Sequence, residues 1–248
     1  MSRQPRWEHP DNSEKDPHWS AVDDYANSHL HSARDSRNPA PAVLESVLKR
    51  QSDEGLPNIA VSAAQGKFLS LLARAIRAER VLEVGTLGGY STVWLASARK
   101  NIKVTTVEVD LRHAETARKS VDEAGVGEKV EIAVGAGLDV LPGLVKEVEE
   151  GKRGTFDLVF IDADKINGWN YFQLARSISR PGAVLIVDNV ARRGRLADAE
   201  AAKTDRNVAG SRAVVENVGK LEGVEGTILQ TVGEKNYDGL LITVLYDE

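Results

Sequence analysis

The chain has 248 residues, of which 42% are hydrophobic and 28% charged, a balance typical of a folded soluble protein. This length suits one large α/β domain and leaves too few residues for a second full core. No apolar run approaches membrane-spanning length, and the N-terminus lacks the hydrophobic core of a signal peptide. The absence of cysteine excludes disulfides and thiolate metal sites, and the net charge of −5 argues against general nucleic-acid binding. We therefore expect a cytoplasmic protein with neither a membrane nor a nucleic-acid partner.

The first part of the chain predicts an arm that precedes the main domain. Residues 1–18 are polar and interrupted by prolines, which is typical of a loosely ordered segment. A helix is predicted over 19–34, and the prolines at 39 and 41 predict a break after it. We therefore divide the chain into an arm with a helix, 1–40, and a main domain, 41–248. Apolar residues over 19–50 predict that the protein forms a homodimer through this region. The alternative is that these helices pack over their own domain or cap its active site. The apolar residues are Val22, Leu30, Val43, Leu44, Val47 and Leu48.

Helix and strand patterns alternate through the main domain. Helices are predicted over 42–50 and 63–78, and strands near 81–84, 103–107, 129–134, 156–161 and 183–188, with helices between the strands. Alternation of this kind predicts a doubly wound, mostly parallel α/β sheet. Two further strands, 227–232 and 240–246, flank a turn-rich segment and predict an antiparallel hairpin that completes seven strands.

A glycine-rich loop follows the first predicted strand. In the segment VLEVGTLGGYST, the glycines at 85, 88 and 89 would let a ligand approach the backbone closely. Their order differs from the G-x-G-x-x-G dinucleotide fingerprint, and Glu83 at the strand end would repel a phosphate but accept a cationic or hydroxylated ligand. Glu108 ends the next strand, about where an acidic residue holds ribose hydroxyls. The pattern predicts an adenosine ligand without a pyrophosphate.

Two buried strands end in oxygen-bearing side chains. The stretch FDLVFIDADK places Asp162 and Lys165 after one strand, and AVLIVDNV places Asp188 and Asn189 after the next. Neighbouring parallel strands bring such residues to one sheet edge, where the ligand crevice lies. Oxygen donors favour Mg²⁺, with Mn²⁺ or Ca²⁺ as alternatives, over zinc. One such strand end alone is more often a helix cap or a turn, whereas two adjacent ends with a lysine between them favour a functional site.

From Leu56 to its C-terminus the chain resembles the class I methyltransferases, and more narrowly the cation-dependent O-methyltransferases of the catechol and caffeoyl-CoA type. Three motifs carry the resemblance in the family's order: EVGTLGGYS, FIDADK and VDN. The resemblance implies a Rossmann-like methyltransferase fold, S-adenosylmethionine as cofactor, a divalent cation and a homodimer. The implied cation ligands are Asp162, Asp188 and Asn189, and the implied base is Lys165. The implied cofactor-binding residues are Ser62, Glu83, Gly85, Ser91, Glu108, Gly137 and Asp162.

The reaction implied is methyl transfer to a hydroxyl of a small aromatic vicinal diol of the catechol, flavonoid or hydroxycinnamoyl type. Two other classes stay open: a carboxyl O-methyltransferase acting on a small organic acid, and a cofactor-binding protein without catalysis. The chain departs from the family in two places. Val61 stands where a hydroxyl residue is frequent, and no aromatic residue follows Asn189 as it does in many plant members.

The remaining candidates concern the acceptor. Arg192, with Arg193 and Arg195, follows Asn189 and predicts either contacts with an anionic acceptor or a solvated loop. Trp169 is predicted to wall the acceptor pocket, and Phe172 to pack in the core. The histidines are predicted to be solvated surface residues without a catalytic or ligand role; they are His9, His18, His29, His31 and His113.

Overall fold

The computed structural model describes residues 16–31 and 38–246. Its centre is a seven-stranded sheet in the order β3-β2-β1-β4-β5-β7-β6. The strands are β1 Arg80–Val84, β2 Lys103–Glu108, β3 Val130–Val134, β4 Phe156–Ile161, β5 Ser179–Val187, β6 Val224–Val232 and β7 Tyr237–Leu245. Strands β1 to β5 pair in parallel, and β7 pairs antiparallel with both β5 and β6. The predicted fold class, a doubly wound sheet with a terminal antiparallel hairpin, is confirmed.

Helices cover both faces of the sheet. Those of the described residues are α1 Pro17–Leu30, α2 Pro41–Asp53, α3 Ala63–Ala75, α4 Tyr90–Ser97, α5 Leu111–Glu123, α6 Gly137–Glu149, α7 Gly168–Ser177, α8 Ala201–Thr204 and α9 Arg206–Val218. None of them has the length and apolar character needed to cross a lipid bilayer.

Alternate residues of the central strands pack in two separate hydrophobic cores, one on each face of the sheet. In β4, Leu158 and Phe160 pack with Trp94 of α4 on one face, whereas Val159 and Ile161 pack with Phe172 of α7 on the other. A side-chain period of two in a strand produces this division. Because both faces are covered, the central strands are apolar without alternation, which is the pattern that made them recognisable in the sequence.

Several element boundaries differ from the prediction. Helix α1 begins at Pro17, two residues before the predicted start, because Asp16 caps it by accepting a hydrogen bond from the His18 backbone N–H. Helix α3 ends at Ala75 instead of residue 78, because Arg77 adopts a left-handed backbone (φ 55°). Strand β5 starts at Ser179, where its first pairing with β4 precedes a register shift. The division at residue 40 stays a prediction.

The strand order reverses between β1 and β4. From β1 the sheet continues through β2 and β3, and from β4 it continues in the opposite direction through β5. In a doubly wound sheet the ligand crevice lies outside the carboxyl ends of the strands at this point. The crevice is therefore formed by the segments that follow β1, β2, β4 and β5.

Candidate functional site

The first glycine of the loop lies where β1 and β4 run side by side. Gly85 has φ 100°, and a Cβ atom there would lie 2.5 Å from the carbonyl oxygen of Asp162. The Asp162 backbone N–H in turn donates to the Val84 carbonyl at 2.8 Å. A side chain at position 85 would therefore push apart the two strand ends that carry the site.

Glu83 places a carboxylate inside the protein beneath this loop. It is fully buried, and its Oε2 accepts hydrogen bonds from the hydroxyls of Thr92 at 2.5 Å and Thr106 at 2.7 Å. Burial raises the pKa of Glu83 to about 7, although the hydroxyls of Ser91, Thr92 and Thr106 oppose that rise. Its Oε1 is buried without a hydrogen-bond partner among the described residues. That oxygen suits a cationic or hydrogen-donating ligand group.

Glu108, at the end of β2, holds the glycine loop. Its Oε2 accepts backbone hydrogen bonds from Thr86 at 3.1 Å and Leu87 at 2.7 Å, and its Oε1 accepts one from Asp110 at 3.0 Å. The carboxylate therefore fixes the loop conformation, and its predicted contact with a ribose stays a prediction.

Two helix N-termini open onto the crevice without side-chain caps. Gly89, in a left-handed conformation (φ 85°), precedes α4, which carries Ser91 in its first turn. Ala136 precedes α6, whose first residue is Gly137. The first backbone N–H groups of a helix have no partner within it, so both ends can donate to a ligand. A Cβ atom on Gly137 would lie 2.7 Å from the Tyr171 ring, which explains the glycine there.

Asp162 and Lys165 form an ion pair at the end of β4. Nζ of Lys165 lies 2.8 Å from Oδ1 of Asp162, and the two side chains are only 13% and 22% exposed. A short 3₁₀ turn, Lys165–Asn167, capped by Asp164, returns the lysine to the strand end. The predicted base and the first predicted cation ligand are therefore in contact.

Asp188, at the end of β5, is a buried carboxylate, 3% exposed. It accepts a hydrogen bond from the Asn189 backbone N–H at 2.6 Å and longer ones from Nε2 of Gln65 at 3.3 and 3.4 Å. Burial raises the pKa of Asp188 well above its ordinary value; the charge of Asp162 raises it further, and Lys165 opposes both. The charges at the two strand ends therefore act on one another, as the adjacency of β4 and β5 predicted.

The donor set fits a hard divalent cation. Asp162 and Asp188 supply carboxylate oxygens, and Asn189, held with φ 55°, supplies an amide oxygen. In the described part of the chain, no three His, Cys, Asp or Glu side chains cluster as a metal site, so the third protein ligand would be this neutral amide. A cation here would relieve the mutual repulsion of the two carboxylates.

A cavity of about 1330 Å³ lies beside Asp188 and Asn189. Its wall combines the N-terminus of α3, the loop after β5 and the turn between β6 and β7. Asp23 of α1 also lines it, and its Oδ2 accepts a hydrogen bond from the Glu234 backbone N–H at 2.8 Å. Helix α1 therefore contributes Asp23 to one side of the cavity, and both predicted roles of this region, dimerisation and covering the active site, stay predictions.

Among the predicted acceptor residues, the structure brings Arg192 to this cavity and leaves Trp169 out of its wall. Trp169 is half-buried on the other face of the sheet, where its ring stacks on Phe172 with centroids 5.9 Å apart. The prediction that Trp169 walls the acceptor pocket does not match this position, because α7 turns its side chain toward the second core. Phe172 is fully buried, as predicted.

The histidine prediction holds for His18 and His29, which are exposed. His31 differs: it is half-buried, its ring meets Trp94 edge-on at 5.7 Å, and burial lowers its pKa. His113 lies with Nδ1 3.7 Å from Oε1 of Glu108. His9 lies outside the described residues.

Two residues of the site were not predicted. The helix-capping role of Gln65 could have been recognised in the sequence. Ser62 and Gln65 form a capping box at the start of α3, in which each side chain hydrogen-bonds the other residue's backbone. The second contact of Gln65, to Asp188, spans 123 residues and has no local signature. Asp238 accepts hydrogen bonds from the backbone N–H groups of Arg192 and Gly239, both at 2.9 Å. Asp238 was missed because it lies in the turn-rich segment before the last predicted strand, where an aspartate is common without a functional role.

Comparison with known proteins gives consistent matches. A family model described as O-methyltransferase matches residues 32–230. O-methyltransferase imqG of Aspergillus flavus is 43% identical over 231 residues, which are 93% of this chain and 92% of that protein. Catechol O-methyltransferase of Mycobacterium tuberculosis is 46% identical over 206 residues, 83% and 89% of the two chains. The crystal structure of the O-methyltransferase from Bacillus cereus in complex with SAH superposes with a TM-score of 0.84 at 40% identity, covering 92% of this chain and 99% of that one.

Proposed function

The chain belongs to the O-methyltransferase family, and we propose that it transfers a methyl group from S-adenosylmethionine to a hydroxyl of a small aromatic vicinal diol. We further propose that a divalent cation, Mg²⁺ before Mn²⁺ or Ca²⁺, binds at Asp162, Asp188 and Asn189. One observation carries the proposal. The acidic ends of β4 and β5 lie close to Lys165, beside a cavity large enough for an aromatic acceptor.

The glycine loop supports the cofactor assignment. Glu83 offers a buried oxygen without a partner among the described residues, and Gly85 and Gly89 give the loop beside it its left-handed turns. The carboxylates of Glu83 and Glu108 suit the cationic end and the ribose hydroxyls of such a ligand. Ser91 and Gly137 lie in the first turns of the two uncapped helices. Ser62 and Asp162 complete the proposed cofactor contacts.

The arrangement assigns each group at the strand ends a task. A divalent cation supplies Lewis acidity and lowers the pKa of a phenol hydroxyl. Asp162, Asp188 and Asn189 would hold and orient it, and Asp162 also keeps Nζ of Lys165 at the same edge of the sheet. Lys165 would lose its ammonium proton to solvent, which the charge of a bound cation favours. The neutral amine would then take the hydroxyl proton, and alignment of the acceptor oxygen with the sulfonium methyl would supply a further rate advantage.

One observation favours a second function. Arg192 lines the acceptor cavity and suits a carboxylate. A carboxyl O-methyltransferase would use the same cofactor site without a general base, because carboxylates are ionised at neutral pH. The product separates the two: the diol enzyme forms an alkali-stable aryl ether and the carboxyl enzyme forms an ester that alkali cleaves.

Cation dependence tests the main proposal. We expect that a chelator abolishes methylation of catechol, and that added Mg²⁺ or Mn²⁺ restores it. The matched control is binding of S-adenosylmethionine measured by calorimetry with and without chelator, which should persist. Full turnover by protein shown by elemental analysis to hold no metal would refute the cation assignment.

Two further properties belong to this proposal. We propose that the protein is a homodimer through its N-terminal region, because α1 exposes apolar side chains. We also propose a cytoplasmic location, since the chain has no cysteine.

A further inference from the structure

One basic side chain in the cavity wall contains a buried nitrogen without a partner. Nε of Arg192 is buried and has no hydrogen-bond partner among the described residues. Arg192 shares this wall with Asp188 and Asn189. Buried polar groups are normally hydrogen-bonded, and an unsatisfied one calls for an explanation such as a missing ligand.

The charge of Arg192 acts on the carboxylate of Asp238, but its Nε has no hydrogen-bond partner among the described residues, whereas the other cations around this cavity are paired. Arg195 pairs with Asp205 at 2.7 Å, and Lys203 pairs with Glu200 at 2.7 Å. Lys235 donates to Oδ1 of Asn58 at 3.3 Å. Arg193 also has a partner. Two acidic residues of the wall also have hydrogen-bond partners. Asp198 accepts hydrogen bonds from backbone N–H groups at the start of α8, and Asp23 accepts one from the Glu234 backbone N–H.

The backbone holds Arg192 in a fixed place. Its φ is 50°, in the left-handed region that side chains other than glycine seldom adopt. Oδ1 of Asp238 accepts its backbone N–H at 2.9 Å, and Val190 donates to the Gly239 carbonyl at 3.0 Å. The start of β7 therefore clamps the loop after β5. Arg192 is the third residue after Asn189, and both line the same cavity.

We propose that Arg192 binds a carboxylate of the acceptor, so that the substrate is an aromatic vicinal diol that also carries a carboxylic acid. This inference rests on the proposed function and narrows its substrate class. Arg192 lines the cavity, and a guanidinium group donates in a fork that matches a carboxylate. The diol lies toward Asp188 and Asn189, and the carboxylate lies toward Arg192.

The test compares acceptors that differ only in charge. The wild-type enzyme, Arg192→Gln and Arg192→Lys are assayed with 3,4-dihydroxybenzoate, its neutral methyl ester, catechol and caffeoyl-CoA, each with Mg²⁺. We expect the wild type to prefer the acid over the ester. Arg192→Gln should lower kcat/KM for the acid by about 10- to 100-fold, the usual effect of losing a hydrogen bond to a charged group, mainly through KM. Catechol and the ester should change little, and Arg192→Lys should keep part of the preference.

The matched control is Lys203→Gln, which removes an equal charge from the same wall at a side chain already paired with Glu200. It should leave the preference for the acid intact. An equal loss in both variants would mean a general charge effect and would overturn the inference, as would an unchanged preference in Arg192→Gln. A loss that affects caffeoyl-CoA but not the acid would assign a phosphate instead and overturn it too.

The two levels of the proposal can fail separately. Methylation of catechol and the ester without preference for the acid would refute the role of Arg192 and leave the proposed function in place. Conversion of the acid to an alkali-labile methyl ester would refute the diol function and the inference together. Absence of methylation of every acceptor, with S-adenosylmethionine bound, would do the same.

Discussion

Glu83 shows how a single carboxylate can link the cofactor site to pH. It is fully buried, with three neighbouring hydroxyl groups and one oxygen that lacks a partner among the described residues. Because burial disfavours the charged form, its pKa rises from 4.5 to about 7. Below about pH 7 the ligand-free protein therefore mostly holds a proton at this site, and binding of a cationic ligand group would favour its release.

This shift predicts a pH-dependent stability of the ligand-free protein. Between about pH 4.5 and 7 the folded state keeps a proton that the unfolded state has lost, so the contribution of Glu83 to stability falls as the pH rises and levels off above 7. The change across this range is about 3 kcal/mol. We expect Glu83→Gln to remove this part of the slope in urea unfolding measured from pH 5 to 8 and to leave the part due to Asp188, whose pKa burial also raises, whereas Glu225→Gln on the exposed face of β6 keeps the full slope. Parallel wild-type and Glu83→Gln curves would contradict the assignment.

Lys165 is the residue on which the diol chemistry depends. Lys165→Ala should lower the rate of methyl transfer to catechol by roughly 10²-fold or more, the usual scale for a lost general base, and leave cofactor affinity nearly unchanged. Single-turnover kinetics and calorimetry with S-adenosylmethionine measure the two effects. The control is Lys146→Ala, which removes an exposed lysine on α6. An unchanged single-turnover rate would remove Lys165 from the mechanism and favour the carboxyl alternative.

At the scale of elements, the start of α3 connects the proposed cofactor and cation sites. Oγ of Ser62 accepts the Gln65 backbone N–H at 3.1 Å, and the Gln65 side chain reaches back to the Ser62 backbone and across to Asp188. One side chain therefore both caps a helix and orients a proposed cation ligand. Such outer partners are known to tune metal sites.

Gln65→Ala should accordingly have two separable effects. Loss of half the capping box lowers stability by about 1 kcal/mol. Loss of the donor to Asp188 weakens Mg²⁺ activation by roughly 10-fold, the lower end of what outer partners of a metal site contribute. Urea unfolding measures the first effect, and the Mg²⁺ concentration for half-maximal activity measures the second. A variant that loses stability but keeps its Mg²⁺ requirement would leave Gln65 as a helix cap alone.

The sequence was informative wherever the signal was local. The apolar strands, the glycines and the acidic strand ends each carry their own pattern, so the sheet could be predicted, and with it the position of Asp162, Asp188 and Asn189 at the ends of neighbouring strands. Two kinds of feature could not. One is the left-handed backbone of Arg77, just after α3, because a glycine is the usual sequence signal for that conformation and none stands there. Contacts such as Asp238 with the Arg192 backbone join distant segments that only the antiparallel β7 brings together.

At the scale of the whole molecule, the sheet and the cavity have different origins. The order β3-β2-β1-β4-β5 follows from alternation of strands and helices, and it fixes the crevice at the strand ends. The proposed acceptor cavity includes parts outside that alternation: the loop after β5, the turn between β6 and β7, and Asp23 of α1. Under the proposed function, methyl-donor binding would be a property of the sheet, and acceptor choice would depend on these added parts.

Helix α1 supplies the last prediction, because its outward side chains are uncovered: Val22, Tyr25 and Leu30 are 66%, 71% and 68% exposed, and the helix has no buried residue. Covering them with a second copy would remove apolar surface from water, and a twofold pair is the commonest assembly. We expect light scattering to give twice the 26.9 kDa chain mass for the full-length protein. The double variant Val22→Glu with Leu30→Glu, or deletion of residues 1–40, should give the mass of a monomer.

The alternative dimer surface is the edge strand β6. Leu229→Glu tests it, since Leu229 is 50% exposed. A dimer that survives changes in α1 but not Leu229→Glu would move the interface to β6, and a monomeric full-length protein at micromolar concentration would exclude the dimer.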